Sequence, residues 1–181
     1  QRDPQRTVYQ ELLIWMYIQQ NDLTAAFVQS KAMDKRFDEG GMRLMDLARI
    51  ALANKDYSTA LKSYEYVLSL GRNDALYLQA KIGGVKVRYD QLTKQPEPVP
   101  TDLQDLDVRM GNTLTELGLN RNTIELLRDQ AHLKAYYLND HAGAIALLTE
   151  GLNIPGVDPK TQAQLKLDLG DVHLLAGEIW D

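Results

Sequence analysis

The sequence MRLMDLARIALANKDYSTALKSYEYVLSL, from Met42 to Leu70, contains two short amphipathic segments joined by a polar turn. In the first segment, apolar residues recur at the three- and four-residue spacing of one helix face: Leu44, Leu47, Ala48, Ala51 and Leu52. The second segment repeats that spacing at Ala60, Leu61, Tyr64, Val67 and Leu68. Tyr64 and Tyr66 fall on different faces of the second helix, so one is expected in the core and the other at the surface.

The turn between these two predicted helices is short and polar. Asn54, Lys55 and Asp56 interrupt the apolar spacing, and Asp56 is placed to cap the second helix. Gly71 follows the second helix, at the position where glycine readily takes the left-handed conformation that ends helices. Because the connection is so short, the two helices are predicted to pack antiparallel as a hairpin.

The same turn pattern occurs twice more along the chain. The four-residue spacing from Asp56 to Ala60 recurs in residues 22–26 and 140–144. Ala26 and Ala60 are 34 residues apart. A capping aspartate followed at a constant spacing by a small residue indicates that one kind of helical hairpin is repeated.

This pattern resembles the tetratricopeptide repeat (TPR) family, whose unit is a helical hairpin of 34 residues. The resemblance is carried by LMDLARIA at 44–51 and by ALKSY at 60–64. These segments stand where the family has Trp-x2-Leu-Gly-x2-Tyr and Ala-x3-Phe. Arg72 replaces the usual terminal proline, which is a departure from the family pattern. The resemblance implies an all-α, right-handed α-solenoid of antiparallel hairpins, with about nine helices.

The repeat pattern predicts a single TPR-like domain over residues 1–181. Its repeats are expected at about 4–40, 41–72, 73–118 and 120–156, with an incomplete repeat from 159. The third repeat carries an insertion at 93–101, where Pro96, Pro98 and Pro100 favour extended backbone. Because the last repeat lacks its second helix, the segment is expected to be a fragment of a longer array.

Two adjacent glycines, Gly83 and Gly84, lie within the first predicted helix of the third repeat. No GxxxxGK[ST] motif surrounds them, which argues against a phosphate loop. Gly84 lies 36 residues after Ala48 and so falls near a position where helices cross. Close contact between helices is therefore the preferred explanation for glycine there.

The composition argues against several classes of function. The chain is 44% hydrophobic and 25% charged, as is typical of a globular protein. A net charge of -5, with no Lys/Arg-rich block, argues against a nucleic-acid surface. The absence of cysteine excludes disulfides and thiolate metal sites. The apolar run from Leu12 to Ile18 is far shorter than the ~20 residues of a membrane span. None of this predicts a cellular compartment.

No catalytic, cofactor or metal site is predicted. The histidines His132, His141 and His173 form no HExxH motif and no paired spacing with carboxylates, so each is expected at the surface or in packing. His132 is a misfit, because the TPR pattern prefers a small residue there. No GxSxG elbow and no cysteine nucleophile occur. A non-enzymatic function is therefore expected.

The TPR resemblance implies that a protein or peptide partner binds a concave groove lined by the first helix of each hairpin. In the TPR clamps that grip chaperone tails, set positions on these helices carry Lys, Asn and Arg. Matching positions here include Glu11, Asp129 and Leu133, so such a clamp is not expected. The residues predicted to contact a partner are Trp15, Ile18, Met42, Met45, Arg49 and Tyr136. Packing against a neighbouring hairpin is the alternative for each.

Two functional hypotheses remain. The favoured one is a non-catalytic scaffold for protein–protein interaction. The alternative is a structural spacer or self-association module within a larger multidomain protein. It rests on the apolar residues of the terminal helix, which are too numerous for a solvated cap: Leu174, Leu175, Ile179 and Trp180.

Overall fold

The structure, a computed structural model, describes residues 4–72 and 76–177. Over these residues the chain forms nine α-helices and no strand. They are α1 (Pro4–Gln19), α2 (Leu23–Phe37), α3 (Met42–Ala53), α4 (Tyr57–Ser69), α5 (Tyr77–Thr93), α6 (Pro100–Leu117), α7 (Ile124–Tyr136), α8 (His141–Leu152) and α9 (Pro159–Leu175). The all-α prediction is confirmed for the described part of the chain.

The helices belong to two compact units, Gln1–Val87 and Arg88–Asp181. In the first unit, α1 packs closely on α2, α2 on α3 and α3 on α4. In the second unit, α6 packs on α7, α7 on α8 and α8 on α9. Within each unit a helix thus packs mainly against its neighbours along the chain. One continuous right-handed solenoid over both units stays a prediction.

Three turns between helices share one construction. A residue with a positive φ between 54° and 61° precedes the capping residue in each turn: Asn21, Lys55 and Asn139. An aspartate then caps the next helix: Asp22, Asp56 and Asp140. Each carboxylate accepts a hydrogen bond from the backbone N–H three residues later, at 2.9 to 3.0 Å. The three turns predicted from the aspartate spacing are therefore confirmed.

Small residues occupy the fourth position after each of these aspartates. Ala26, Ala60 and Ala144 are fully buried, and so is Ala48 in α3. A side chain of one methyl group lets paired helices approach closely and still fill the space between them. The predicted role of these alanines in packing is consistent with their complete burial.

Tyr64 and Tyr66 of α4 are both buried, so the prediction that one of them is exposed is wrong. The hydroxyl of Tyr66 donates to Oδ2 of Asp34 at 2.8 Å, because α2 packs on α4 in addition to α3. Asp34 is 3% exposed and also accepts from the backbone N–H of Gly41 at 2.7 Å. Burial and the bond to Asp34 raise the pKa of Tyr66 to about 12. Helix α4 therefore buries two faces.

The third predicted hairpin differs from the others. The insertion lies between α5 and α6 as predicted, but it covers only residues 94–99, because Pro100 opens α6 at a position where no N–H donor is needed. Of the described helices, α5 and α6 are not among the closely packed pairs. A cavity of about 300 Å³ lies beside them, lined by polar side chains such as Arg88, Asp105 and Arg109. The hairpin predicted for residues 73–118 stays a prediction.

The two glycines inside α5 have different surroundings. A Cβ atom added at Gly83 would lie 2.6 Å from Cε1 of Tyr64, which no real contact tolerates. A Cβ atom at Gly84 would lie 3.8 Å from Cβ of Tyr64, an ordinary van der Waals distance. The predicted close approach of helices is thus made at Gly83, not at Gly84. Both residues are helical, which a phosphate loop would not be.

Candidate functional site

Three of the six residues predicted to contact a partner are exposed on the first unit. Trp15 of α1 is 56% exposed and Met42 of α3 is 63% exposed. Arg49 is also exposed, and its guanidinium pairs with Asp46 one helical turn away. These side chains are accessible, and their role in partner contact stays a prediction.

Two further predicted residues pack inside the first unit. Met45 is 7% exposed and belongs to the hydrophobic core around α3 and α4. Ile18 is partly buried against the same core. Met45 presents almost no surface to a partner, so its place in a binding groove is corrected to a place in the core. For Met45, the alternative prediction of packing against neighbouring helices therefore applies.

Tyr136, the sixth predicted residue, lines a cavity of about 320 Å³ in the second unit. We call it the α7 cavity, because α7 supplies most of its lining. The α7 residues are Glu125, Arg128, Asp129, Ala131, His132 and Tyr136. Tyr89 of α5, Leu148 of α8 and Asp168 of α9 complete much of the remaining wall.

His132 lies among three tyrosine rings of this unit. Its Nδ1 atom is 2.7 Å from the hydroxyl of Tyr89, whose ring meets the imidazole edge-on. The ring of Tyr136 stacks on His132, with centroids 4.4 Å apart and planes 24° from parallel. The ring of Tyr137 is tilted at 5.9 Å. The residue that is a misfit in the TPR pattern is therefore the centre of an aromatic cluster.

This environment favours a neutral imidazole. Desolvation by the surrounding groups lowers the pKa of His132, although Asp129 and Asp168 act in the opposite direction. Burial raises the pKa of Tyr89, so its phenol stays protonated and donates its hydrogen bond to Nδ1 of His132. This assignment, made from the hydrogen-bond network, places the imidazole proton on Nε2.

Negative charge dominates the lining of the α7 cavity. It contains four carboxylates: Glu125, Asp129, Asp168 and Asp171. Arg128 is the cation among its described lining residues, and Nε of Arg128 donates to Oδ2 of Asp168 at 2.7 Å. Nη1 of the same guanidinium lies 3.2 Å from the Glu125 carboxylate. With His132 neutral, four carboxylates face one guanidinium, so the cavity carries a net negative charge.

The opposite side of α7 is anchored to its neighbours. Nζ of Lys134 lies 2.9 Å from a carboxylate oxygen of Asp107 in α6 and 2.9 Å from one of Asp140 before α8. The side chain of Gln130 is buried and donates to Oδ1 of Asp107 at 2.7 Å. The hydrogen bond from Lys134 lowers the pKa of Asp140, with a further contribution from the Gly143 N–H. Polar bonds to α6 and to the α8 cap thus position the helix that lines the cavity.

Neither a family model nor a curated protein matches this chain. The resemblance to TPR proteins therefore stays a prediction from the residues that carry it. The functional argument rests on the geometry of the α7 cavity.

Two further observations concern the described residues. Across residues 4–72 and 76–177, no three His, Asp or Glu side chains converge as metal ligands would. No helix in the same part of the chain has the length and apolar character needed to cross a membrane.

The sequence predicted part of the α7 lining of the cavity but not the residues that α5 and α9 contribute. Tyr136 was predicted, and His132 gave a signal as a misfit in the repeat pattern. Tyr89, Asp168 and Asp171 had no local signal. Tyr89 is 43 residues from His132, and only the packing of the second unit brings the two side chains together.

Proposed function

We propose that this chain is a non-catalytic, TPR-like scaffold that binds a peptide or a partner helix in the α7 cavity. The observation that carries the proposal is the origin of the lining. Helices α5, α7 and α9 supply all of its lining except Leu148 of α8, and the repeat pattern assigns these three helices to the first position of a hairpin. In a TPR solenoid this is the position that lines the concave, partner-binding face.

The residue types in the cavity support protein recognition. Tyrosine and arginine are enriched at binding hot spots, and both occur in the lining. The side chain of Tyr136 is 48% exposed although it stacks on His132, so a partner can reach it. A volume of about 320 Å³ suits a few anchoring side chains more than a folded domain.

Peptide display against the full chain tests this proposal. We expect selected peptides to bind in solution, and Tyr136→Ala to weaken their binding because it removes the aromatic anchor. Tyr9→Ala is a matched control, since Tyr9 is an exposed tyrosine of the first unit. Circular dichroism would verify that both variants keep their helix content. Failure to select any peptide, or equal binding by wild type and Tyr136→Ala, would contradict the proposal.

The alternative, a spacer or self-association module, is favoured by a different observation. Apolar side chains are exposed at helical spacing on α1, at Val8, Leu12 and Trp15. Leu174 and Leu175 of α9 are also exposed, while Ile179 and Trp180 lie outside the described residues. Exposed apolar faces of this kind are typical of inner repeats or of interfaces between copies.

Light scattering at increasing protein concentration distinguishes the alternative from the main proposal. Self-association through α9 predicts a mass above that of one chain, and Leu174→Lys should reduce that mass. Leu167→Lys is a control on the same helix, because Leu167 is equally exposed but is not part of the predicted terminal patch. A constant monomer mass would contradict self-association and leave peptide binding unaffected.

A further inference from the structure

The α7 cavity combines negative charge with aromatic surface, and this combination indicates the chemistry of its ligand. Even without Asp129, the three carboxylates of Glu125, Asp168 and Asp171 outnumber the guanidinium of Arg128 among the described lining residues. Burial raises the pKa of Tyr136, and the nearby charges of Asp171 and Asp168 raise it further. A cationic group entering the cavity would balance this charge, and an anionic group would be repelled.

The aromatic cluster adds a preference among cations. The stacked rings of His132 and Tyr136 are roughly parallel, and Tyr136 is about half exposed. A planar guanidinium can stack on such a ring and still donate hydrogen bonds to a carboxylate at its edge. An ammonium group lacks the planar stacking surface and acts as a compact point charge.

The lining already shows that it can hold a guanidinium. Arg128 lies between Asp168 and Glu125 and donates to both at 2.7 and 3.2 Å. Asp171 supplies further negative charge to the wall. The cavity therefore combines carboxylates and an aromatic ring in one lining, with one internal arginine as an example of the chemistry it accommodates.

We propose that the α7 cavity recognises an arginine side chain in a basic, extended segment of a partner protein. This inference rests on the proposed function and deepens it, because it names the charge and shape of the partner's anchoring group. The guanidinium stacks on Tyr136, and Asp171 accepts its hydrogen bonds. Carboxylate-terminated segments are excluded from this cavity by charge.

Fluorescence anisotropy with defined peptides tests the inference. The probes are short, labelled Gly/Ser peptides that carry two arginines, two lysines, two citrullines or two glutamates. Citrulline keeps the shape of arginine and removes its charge, so it separates electrostatic from steric recognition. We expect the arginine peptide to bind most tightly, the lysine peptide more weakly, and the citrulline and glutamate peptides least.

Matched variants locate the binding site. Asp171→Asn should weaken binding of the arginine peptide about threefold to fivefold, as loss of one partly exposed charge pair predicts. Glu97→Gln removes the same charge from the exposed loop between α5 and α6, outside the cavity lining, and should leave the affinity unchanged. Equal effects of the two variants would overturn the inference, because binding would then follow net charge alone.

The outcomes separate this inference from the proposed function. Binding of citrulline or glutamate peptides as tight as that of the arginine peptide, if it still depends on Tyr136, would overturn the preference for arginine. The scaffold proposal would then stand. If display selects no peptide of any composition that depends on Tyr136, both the scaffold proposal and the arginine inference fail.

Discussion

A methyl group added at Gly84 of α5 should stabilise the protein, whereas one added at Gly83 should not. At Gly83 the added Cβ would meet the ring of Tyr64 at 2.6 Å from Cε1 and 2.8 Å from the hydroxyl oxygen. At Gly84 the nearest atom is Cβ of Tyr64 at 3.8 Å. Tyr64 is 5% exposed, so its ring cannot move aside without disturbing the core of the first unit.

The magnitudes follow from two effects, of which the first acts at both positions and the second only at Gly83. Replacing glycine by alanine inside a helix raises the free energy of unfolding by about 0.8–1 kcal/mol. The reason is that alanine restricts the unfolded chain and favours the helical conformation. Overpacking a buried site costs about 1–3 kcal/mol. Gly84→Ala has only the first effect and should stabilise the protein by about 1 kcal/mol. Gly83→Ala has both and should be roughly neutral to about 2 kcal/mol destabilising.

Urea unfolding followed by circular dichroism measures the difference between the two variants, which should be about 1–3 kcal/mol. The double variant Gly83→Ala with Tyr64→Leu is the decisive control, because it removes the ring that the methyl group meets. In a double-mutant cycle, Gly83→Ala should stabilise the Tyr64→Leu background. A stabilising effect of Gly83→Ala in the wild-type background, equal to that of Gly84→Ala, would refute the reasoning.

Three other predictions concern buried or capping groups. Tyr66→Phe should lower the free energy of unfolding by about 1.5–3 kcal/mol in urea titrations, because the buried carboxylate of Asp34 loses a donor. Asp56→Ala should cost about 1 kcal/mol by removing a helix cap, whereas Asp46→Ala, at an exposed residue, should change stability by less than about 0.5 kcal/mol. The pKa of His132 is lowered in the folded state, so its contribution to stability is present above its ordinary value of 6.5 and is lost as the pH falls below it. Melting temperatures should therefore fall less between about pH 7.5 and pH 5.5 in His132→Phe than in wild type.

The hairpin turns could be predicted because their chemistry is local. A capping aspartate bonds to an N–H only three residues away, so its effect appears directly in the sequence spacing at Asp22, Asp56 and Asp140. The buried alanines follow each cap at a constant distance and were predictable for the same reason. Helix number and type also follow from local periodicity.

The errors arose where packing between non-adjacent elements decides the outcome. Tyr66 looked like a surface residue because one amphipathic face of α4 is already filled, but α2 covers its second face. The spacing from Ala48 predicted that Gly84 would be the contact position. The structure instead places the preceding residue, Gly83, against Tyr64. Met45 likewise lies in the core although it was expected in a groove. The spacing of apolar residues predicts which face of a helix is apolar. It does not predict how many neighbouring helices pack against that helix.

Two residues that line the α7 cavity differ from the TPR pattern, and both bear on the ligand that we propose. The family's carboxylate clamps need cations on the first helices, and Asp129 stands at one of the matching positions here. His132 occupies a place where the pattern prefers a small residue, and its ring stacks on Tyr136 beside the carboxylate wall. Each departure alone would only weaken a clamp. Under the proposed function, the two residues add negative charge and a stacking surface to the cavity, which suits a guanidinium and does not suit a carboxylate tail.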